Sequence, residues 1–315
     1  MGQPHWGFKN FPRPFLANCI SGMSEVKRLR ITATADLHWG IAKGMAANGK
    51  LCQAIRETPP DILLLAGDIG HGEYFEKCLE EFSSLTCVKA LVPGNHDIWV
   101  TRDDSRGDSW AVYNQALPKA AARHGFHYLD QQPLHLPEQK ISLVGSMNWY
   151  DYSWSEEELR RVFPGETERL ATKKFTRGQH NDFHYIRWEL GDREFTSRLV
   201  SRLKEQVLEA LNLGHKVVLA THHPACRALS FPRLEETPHL DRLLWEGFSG
   251  NQALEEALTG WKESLLFLLS GHIHFFRQEK WQGIPCVNIG GDYHFKRAVR
   301  LEFPGPTVEF DEFHS

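Results

Sequence analysis

The hydrophobic positions of the chain follow two rhythms. From Leu29 to Ala35 they alternate, at Leu29, Ile31, Ala33 and Ala35, the period of a strand with one buried face. Asp61 to Ala66 reads DILLLA, a near-continuous apolar run that suits a strand buried on both faces. Val88–Val92, Ile141–Val144, Lys216–Ala220 and Leu265–Leu269 repeat that theme. Helical spacing lies between several of them, over Leu51–Glu57, Tyr74–Phe82, Ser109–His124 and Glu194–Leu213. Strands alternating with helices predict βαβ units and a layered α/β fold. Cys286–Ile289, Ala298–Phe303 and Thr307–Phe310 read as further strands between Gly and Pro turns. They predict a second, more antiparallel sheet.

Two stretches break the pattern. Residues 1–27 contain Pro and Phe without periodicity and read as an extension outside a domain spanning 28–315. Met23, just ahead of the first regular strand, is a candidate natural start. Residues 149–193 form the second break, with nine aromatic residues and several bases, among them Lys173, Lys174, Arg177 and Arg187. Connections of that length in compact domains are often functional. Two readings stand: a substrate cap, or a helical satellite that only packs its aromatics together.

Composition narrows the class. Of 315 residues, 41% are hydrophobic and 24% charged, ordinary for a globular protein, and the net charge is −4. With acids and bases mixed along the chain, nothing favours tight binding to long nucleic acid, although a local basic patch stays open. The six cysteines show no C-x-x-C pairing and read as scattered thiols of a reducing compartment. No apolar stretch reaches a membrane span. The opening MGQPHWGFKNFPRPF lacks the basic head and apolar block of a signal peptide, so the expected location is the cytoplasm. Oligomeric state is not legible.

The chemistry sits at the ends of the hydrophobic runs. Five short polar motifs occur in order: Asp36-Leu37-His38, Gly67-Asp68, Gly94-Asn95-His96-Asp97, Thr221-His222-His223-Pro224 and Gly271-His272-Ile273-His274. They offer the carboxylate, amide and imidazole donors that hold hard and borderline divalent metals. Each motif alone is commonplace. Together, in loops that converge at the carboxyl ends of strands, they predict one metal-binding catalytic site. Asp36 and His38 are two apart, as are His272 and His274, and in extended chain such side chains share a face.

This series resembles the calcineurin-like metallophosphoesterase family, whose blocks are D-x-H, G-D, G-N-H-[DE], H and G-H-x-H; the resemblance covers roughly residues 28 to 310. It implies a four-layer α/β/β/α sandwich of two mixed sheets flanked by helices, with a dinuclear site at the strand ends. By that resemblance Asp36, His38, Asp68 and His274 hold one metal, and Asp68, Asn95, His222 and His272 the other, Asp68 bridging. His223 then lies beside the ligands. The ligand set suits Mn²⁺, Fe²⁺/Fe³⁺ or Zn²⁺ without choosing among them. The implied reaction is phosphate-ester hydrolysis by a metal-bridging hydroxide, with diesters favoured over monoesters. His96 is the candidate general acid, and Asp97 the organiser of its loop.

The second motif departs from the protein phosphatases of the family. They continue G-D-x-x-D-R-G, whereas this chain reads Gly67-Asp68-Ile69-Gly70-His71-Gly72. A His there resembles the nuclease branch, so His71 is a candidate partner of His96 or of substrate phosphate, or else an exposed turn residue. A DNA-repair-type nuclease is therefore the alternative activity, and a non-catalytic scaffold a more distant one. The net acidic charge speaks against the nuclease. Small phosphate esters are the expected substrates. Asn148, Trp149, Tyr150, His223 and Arg227 are the candidate substrate contacts, the two rings by stacking and Arg227 by neutralising a phosphate oxygen. Trp149 and Tyr150 could equally fasten the insertion to the core.

Overall fold

The alternation within DILLLA shows how the layers form. In the computed structural model, which describes residues 28–231 and 239–315, Ile62, Leu64 and Ala66 face an inner apolar layer. Leu63 and Leu65 face an outer one. Val217 to Ala220 does the same on the other side: Val218 and Ala220 point inward, Val217 and Leu219 outward. A strand that is apolar on both faces needs apolar partners on both, and two such strands in different sheets give four layers.

The strands are β1 (Leu29–Thr34), β2 (Ile62–Ala66), β3 (Val88–Val92), β4 (Phe126–Tyr128), β5 (Leu134–Leu136) and β6 (Ile141–Ser146), then β7 (Lys216–Thr221), β8 (Leu265–Ser270), β9 (Arg277–Trp281), β10 (Ile284–Asn288), β11 (Phe295–Phe303) and β12 (Thr307–His314). They form two six-stranded sheets, ordered β12-β11-β1-β2-β3-β4 and β5-β6-β7-β8-β10-β9. β1 to β4 run parallel, with β11 antiparallel beside β1. β6, β7, β8 and β10 also run parallel, closed by antiparallel edges. Both sheets are mixed, as the four-layer expectation requires.

The expected second antiparallel sheet is corrected. β10 joins β8 in parallel, while β11 and β12 form a hairpin that pairs with β1. The strand-like pieces at the C-terminus are thus divided between the sheets.

The helices Met45–Glu57 and Glu73–Glu81 cover the first sheet through residues such as Leu51, Ile55, Phe75 and Leu79. Asp192–Asn212 and Gln252–Trp261 cover the second through Leu203, Val207, Leu254 and Leu258. Ser109–His124 is helical but changes pitch, with a five-residue π segment at Val112–Ala116. None of the described helices is long and apolar enough to cross a membrane.

Residues 149–193 fold as short helices, Glu156–Val162, Glu168–Ala171 and Asp182–Tyr185, joined by loops. Trp149, Tyr150 and Trp154 lie beneath them, fully enclosed. Trp149 and Tyr150 stack on each other and meet Phe195 and Phe248 respectively edge-on. The N-terminal stretch 1–27, with its candidate start at Met23, lies outside the described residues.

Candidate active site

Every motif emerges from the carboxyl end of a parallel strand. Asp36 and His38 follow β1, Asp68 follows β2 and Asn95 follows β3; His222 follows β7, and His272 and His274 follow β8. These strands are neighbours within each sheet, so their loops meet at one edge of the sandwich.

The chain does not reach this geometry in extended form. Of the ten non-glycine residues with positive φ among the described residues, five are Asp36, His38, Asp68, His272 and His274. The i, i+2 expectation for D-x-H and H-x-H is thereby corrected: both members of each pair sit in the left-handed region. Such conformations cost about 1–3 kcal/mol each and persist where surrounding structure imposes them.

Here the surroundings are tight. A Cβ on Gly94 would stand 2.2 Å from Asp68 N and Oδ1, and one on Gly67 would stand 2.3 Å from the His222 ring. Glycine is required at both positions for the motifs to approach.

The donors converge from both sheets. His38 Nε2 lies 3.1 Å from His274 Nε2 and 3.8 Å from Asp68 Oδ2, and His274 Nε2 is 3.7 Å from Asp36 Oδ1. On the other side of Asp68, His222 Nε2 is 3.3 Å from Asp68 Oδ1 and 3.1 Å from Asn95 Oδ1. The His222 ring is oriented by its other nitrogen, Nδ1, which donates to the Ala66 carbonyl at 3.1 Å. That bond leaves the lone pair of Nε2 for a cation.

Do these residues fit two metal ions? Asp36, His38, Asp68 and His274 form one cluster of possible ligand atoms, and His222, His223 and His272 another. Asp36 Oδ2 and His223 Nε2 are buried with no protein partner, an arrangement that calls for a ligand. Burial raises Asp36 to about 7 and pushes Asp68 well above the usual carboxylate range. Burial likewise holds His38, His222 and His272 well below the usual imidazole value. Neutral imidazoles are ready ligands, and a cation would reverse the penalty on the carboxylates. The donor set fits the metals.

His96 stands apart from both clusters. Its backbone N–H donates to Asp68 Oδ1 at 2.9 Å, its Nε2 lies 3.7 Å from Asp68 Oδ2, and its ring stacks on Trp99 at 3.5 Å. It borders a cleft of about 540 Å³ shared with Asp68, Asn95, His272, His274 and Tyr293. Burial holds the imidazole below its ordinary value; a phosphate anion in the cleft acts in the opposite direction. Asp97 accepts from Gly70 N at 2.8 Å and Gly94 N at 2.7 Å, so its carboxylate ties the second and third motif loops together.

Several sequence-based assignments need correction. Trp149 and Tyr150 are enclosed in the core and present no face to a substrate. Asn148 is buried too, its amide donating to the carbonyls of His223 and Pro224. Arg227 opens on a different cavity, with Trp154, Glu158 and Arg277; the guanidinium on the metal-side cleft is Arg177. His71 makes no hydrogen bond to His96 among the described residues. Its ring instead meets Trp99 edgewise at 6.4 Å. His223 is not open to solvent either, yet it joins His222 and His272 in the second cluster, its ring 4.0 Å from that of His272.

Four residues escaped the sequence reading. Tyr293 lies against His38, ring centroids 4.6 Å apart. The buried Lys296 ammonium donates to the Asp36 carbonyl at 2.8 Å. Trp99 carries His96, and Asp182, from the 149–193 segment, accepts from Asn95, Trp99 and Tyr150. None sits in a recognisable motif, so no local signal marked them.

Buried carboxylates, an amide and imidazoles converging at the strand ends of an α/β/β/α sandwich define a metal-dependent hydrolase of phosphate esters. A family model described as calcineurin-like phosphoesterase matches residues 29–276, and the chain belongs to that family. Its fold is similar to those of a phosphopantetheinyl hydrolase from Mycobacterium tuberculosis (19% identity over 84% of this chain and 89% of that one, TM-score 0.63) and a dimetal phosphatase from Danio rerio (12% identity, 91% and 98%, TM-score 0.53). TT1561 of Thermus thermophilus is also similar in fold (11% identity, 90% and 99%, TM-score 0.54). A search of curated protein sequences gives no match.

Proposed function

We propose that this metallophosphoesterase hydrolyses small phosphodiesters, with His96 protonating the departing oxygen. The observation that carries the reading is the placement of His96: it borders the cleft, beside the shared ligand Asp68, yet belongs to neither donor cluster. Asp36, His38, Asp68 and His274 would hold one metal, and Asp68, Asn95, His222 and His272 the other. When bound, two such cations would supply Lewis acidity and lower the pKa of bound water, making a nucleophile available near neutral pH. Asp97 and the backbone N–H of His96 fix the third motif against Asp68, so the imidazole is held at a constant offset from the shared ligand.

The diester preference rests on the cleft walls. Beyond the metal donors they are largely aromatic, with Phe175, Phe231, Trp245, Phe275 and Tyr293, and among the described residues the one guanidinium is Arg177. Such a wall suits a monoanion bearing a second, apolar ester group better than a dianionic monoester, whose extra charge would need another cation. Small esters in a reducing, cytoplasmic setting fit the free thiols of Cys52, Cys78, Cys87, Cys226 and Cys286.

The test compares bis(p-nitrophenyl) phosphate with p-nitrophenyl phosphate in the presence of Mn²⁺. The expected result is a higher kcat/KM for the diester. A higher value for the monoester would overturn the preference, and no metal-dependent hydrolysis of either would overturn the activity.

A further inference from the structure

Asp182 is a buried carboxylate that the proposed reaction does not use directly. It comes from the 149–193 segment, at the start of the short helix Asp182–Tyr185. Oδ1 accepts from Asn95 Nδ2 at 2.9 Å and from Trp99 Nε1 at 2.7 Å, and Oδ2 accepts from the Tyr150 hydroxyl at 2.8 Å. Three donors from two distant parts of the chain, the Asn95–Trp99 loop and Tyr150, meet on one carboxylate.

The chemistry of those bonds decides the orientation of Asn95. An ionised carboxylate only accepts, so the Asn95 NH₂ must face Asp182. The amide oxygen is then turned the other way, toward His222 Nε2 at 3.1 Å, where the second cation would lie. Without that acceptor the amide can flip and present NH₂ to the metal, which cannot coordinate it. The same oxygen of Asp182 anchors the indole on which His96 stacks. One side chain therefore orients both a ligand and the platform of the acid.

We infer that Asp182 is a positioning residue, which holds Asn95 oxygen-first at the second metal site and steadies Trp99 beneath His96. This rests on the two-metal reading given above. It also gives the 149–193 segment a role at the metals, through a carboxylate inserted from beneath.

Calorimetric titration of the metal-free full chain with Mn²⁺ tests the inference without reference to turnover. The wild type should bind two ions. Asp182→Leu, of similar size but with no acceptor, should weaken one of them by about 10–100-fold, the usual effect of removing a ligand's hydrogen-bond partner, and leave the other unchanged. The Tyr150→Phe variant, which removes a different donor from the same carboxylate, should keep both affinities.

Two tight sites in Asp182→Leu would overturn the role of Asp182 and leave the metal centre standing. Equal weakening of both sites, or equal weakening in Tyr150→Phe, would do the same by showing a general packing effect. A wild type that binds no Mn²⁺ would instead overturn the metal reading itself. Should Asp182→Leu not fold, Asp182→Glu serves the same comparison, because its longer arm cannot keep Asn95 and Trp99 on one oxygen at these distances.

Discussion

Replacing His96 with Ala is the most informative perturbation of the proposed acid. It removes the imidazole but keeps the backbone N–H that donates to Asp68 Oδ1 at 2.9 Å, so metal content should be retained. The structural cost is the stacking on Trp99 at 3.5 Å, about 0.5–1.5 kcal/mol. General acid catalysis contributes about 10²–10⁴ in rate, equivalent to about 2.7–5.4 kcal/mol of barrier. The catalytic effect therefore exceeds the structural one.

The leaving group separates proton donation from other losses. A p-nitrophenolate departs readily as an anion, whereas an alkoxide needs a proton. Values of kcat/KM for His96→Ala and wild type, measured on an aryl and on an alkyl diester with Mn²⁺, should diverge: a small loss for the aryl ester and roughly 10²–10⁴ for the alkyl ester. Equal losses on the two substrates would refute proton donation and leave His96 a stabiliser of phosphate charge.

Gly94→Ala places a Cβ 2.2 Å from Asp68 N and Oδ1, so the bridging ligand must move; bound metal, measured by elemental analysis, should fall below one ion per chain, and a full complement would contradict the geometry. Stripping the metals with a chelator should lower the melting temperature, and Mn²⁺ at about a hundred times its Kd should restore about 2.7 kcal/mol per site; identical melting curves would argue against ions that bind the folded state. Arg177→Ala should raise KM about tenfold, for a lost charge-assisted hydrogen bond of about 1.5 kcal/mol. Arg227→Ala, on another cavity, should leave KM unchanged, and the reverse pattern would restore the sequence-based assignment.

The strands were legible where burial was two-sided. DILLLA can only be core, and β2 is buried along its whole length. β9 was not, because RQEKW lies at a sheet edge and buries only Trp281. The metal donors could be read because their chemistry resides in the residue types themselves. The aromatic rings of 149–193 could not, since a ring that fills a core and one that lines a cleft look alike in sequence. Trp149 and Tyr150 went to the core, while Phe175 reaches the cleft. Asp182 was invisible for another reason: its donors lie 87, 83 and 32 residues away.

The alanines that close the inner strands have a mechanical consequence. Ala35, Ala66 and Ala220 stand just before three of the ligand loops, in the layer between the sheets. Their small size lets the sheets pinch together at that edge, close enough for His222 of one to reach the Ala66 carbonyl of the other. Ligands hang from both sides of the pinch, so the site acts as a gauge of sheet alignment. A slip of one residue along a strand, about 3.3 Å, would be as large as the gap of 3.1 Å between His38 and His274. A wedge as modest as valine at one of these alanines should open the jaws and disable the centre well before it unfolds the sandwich.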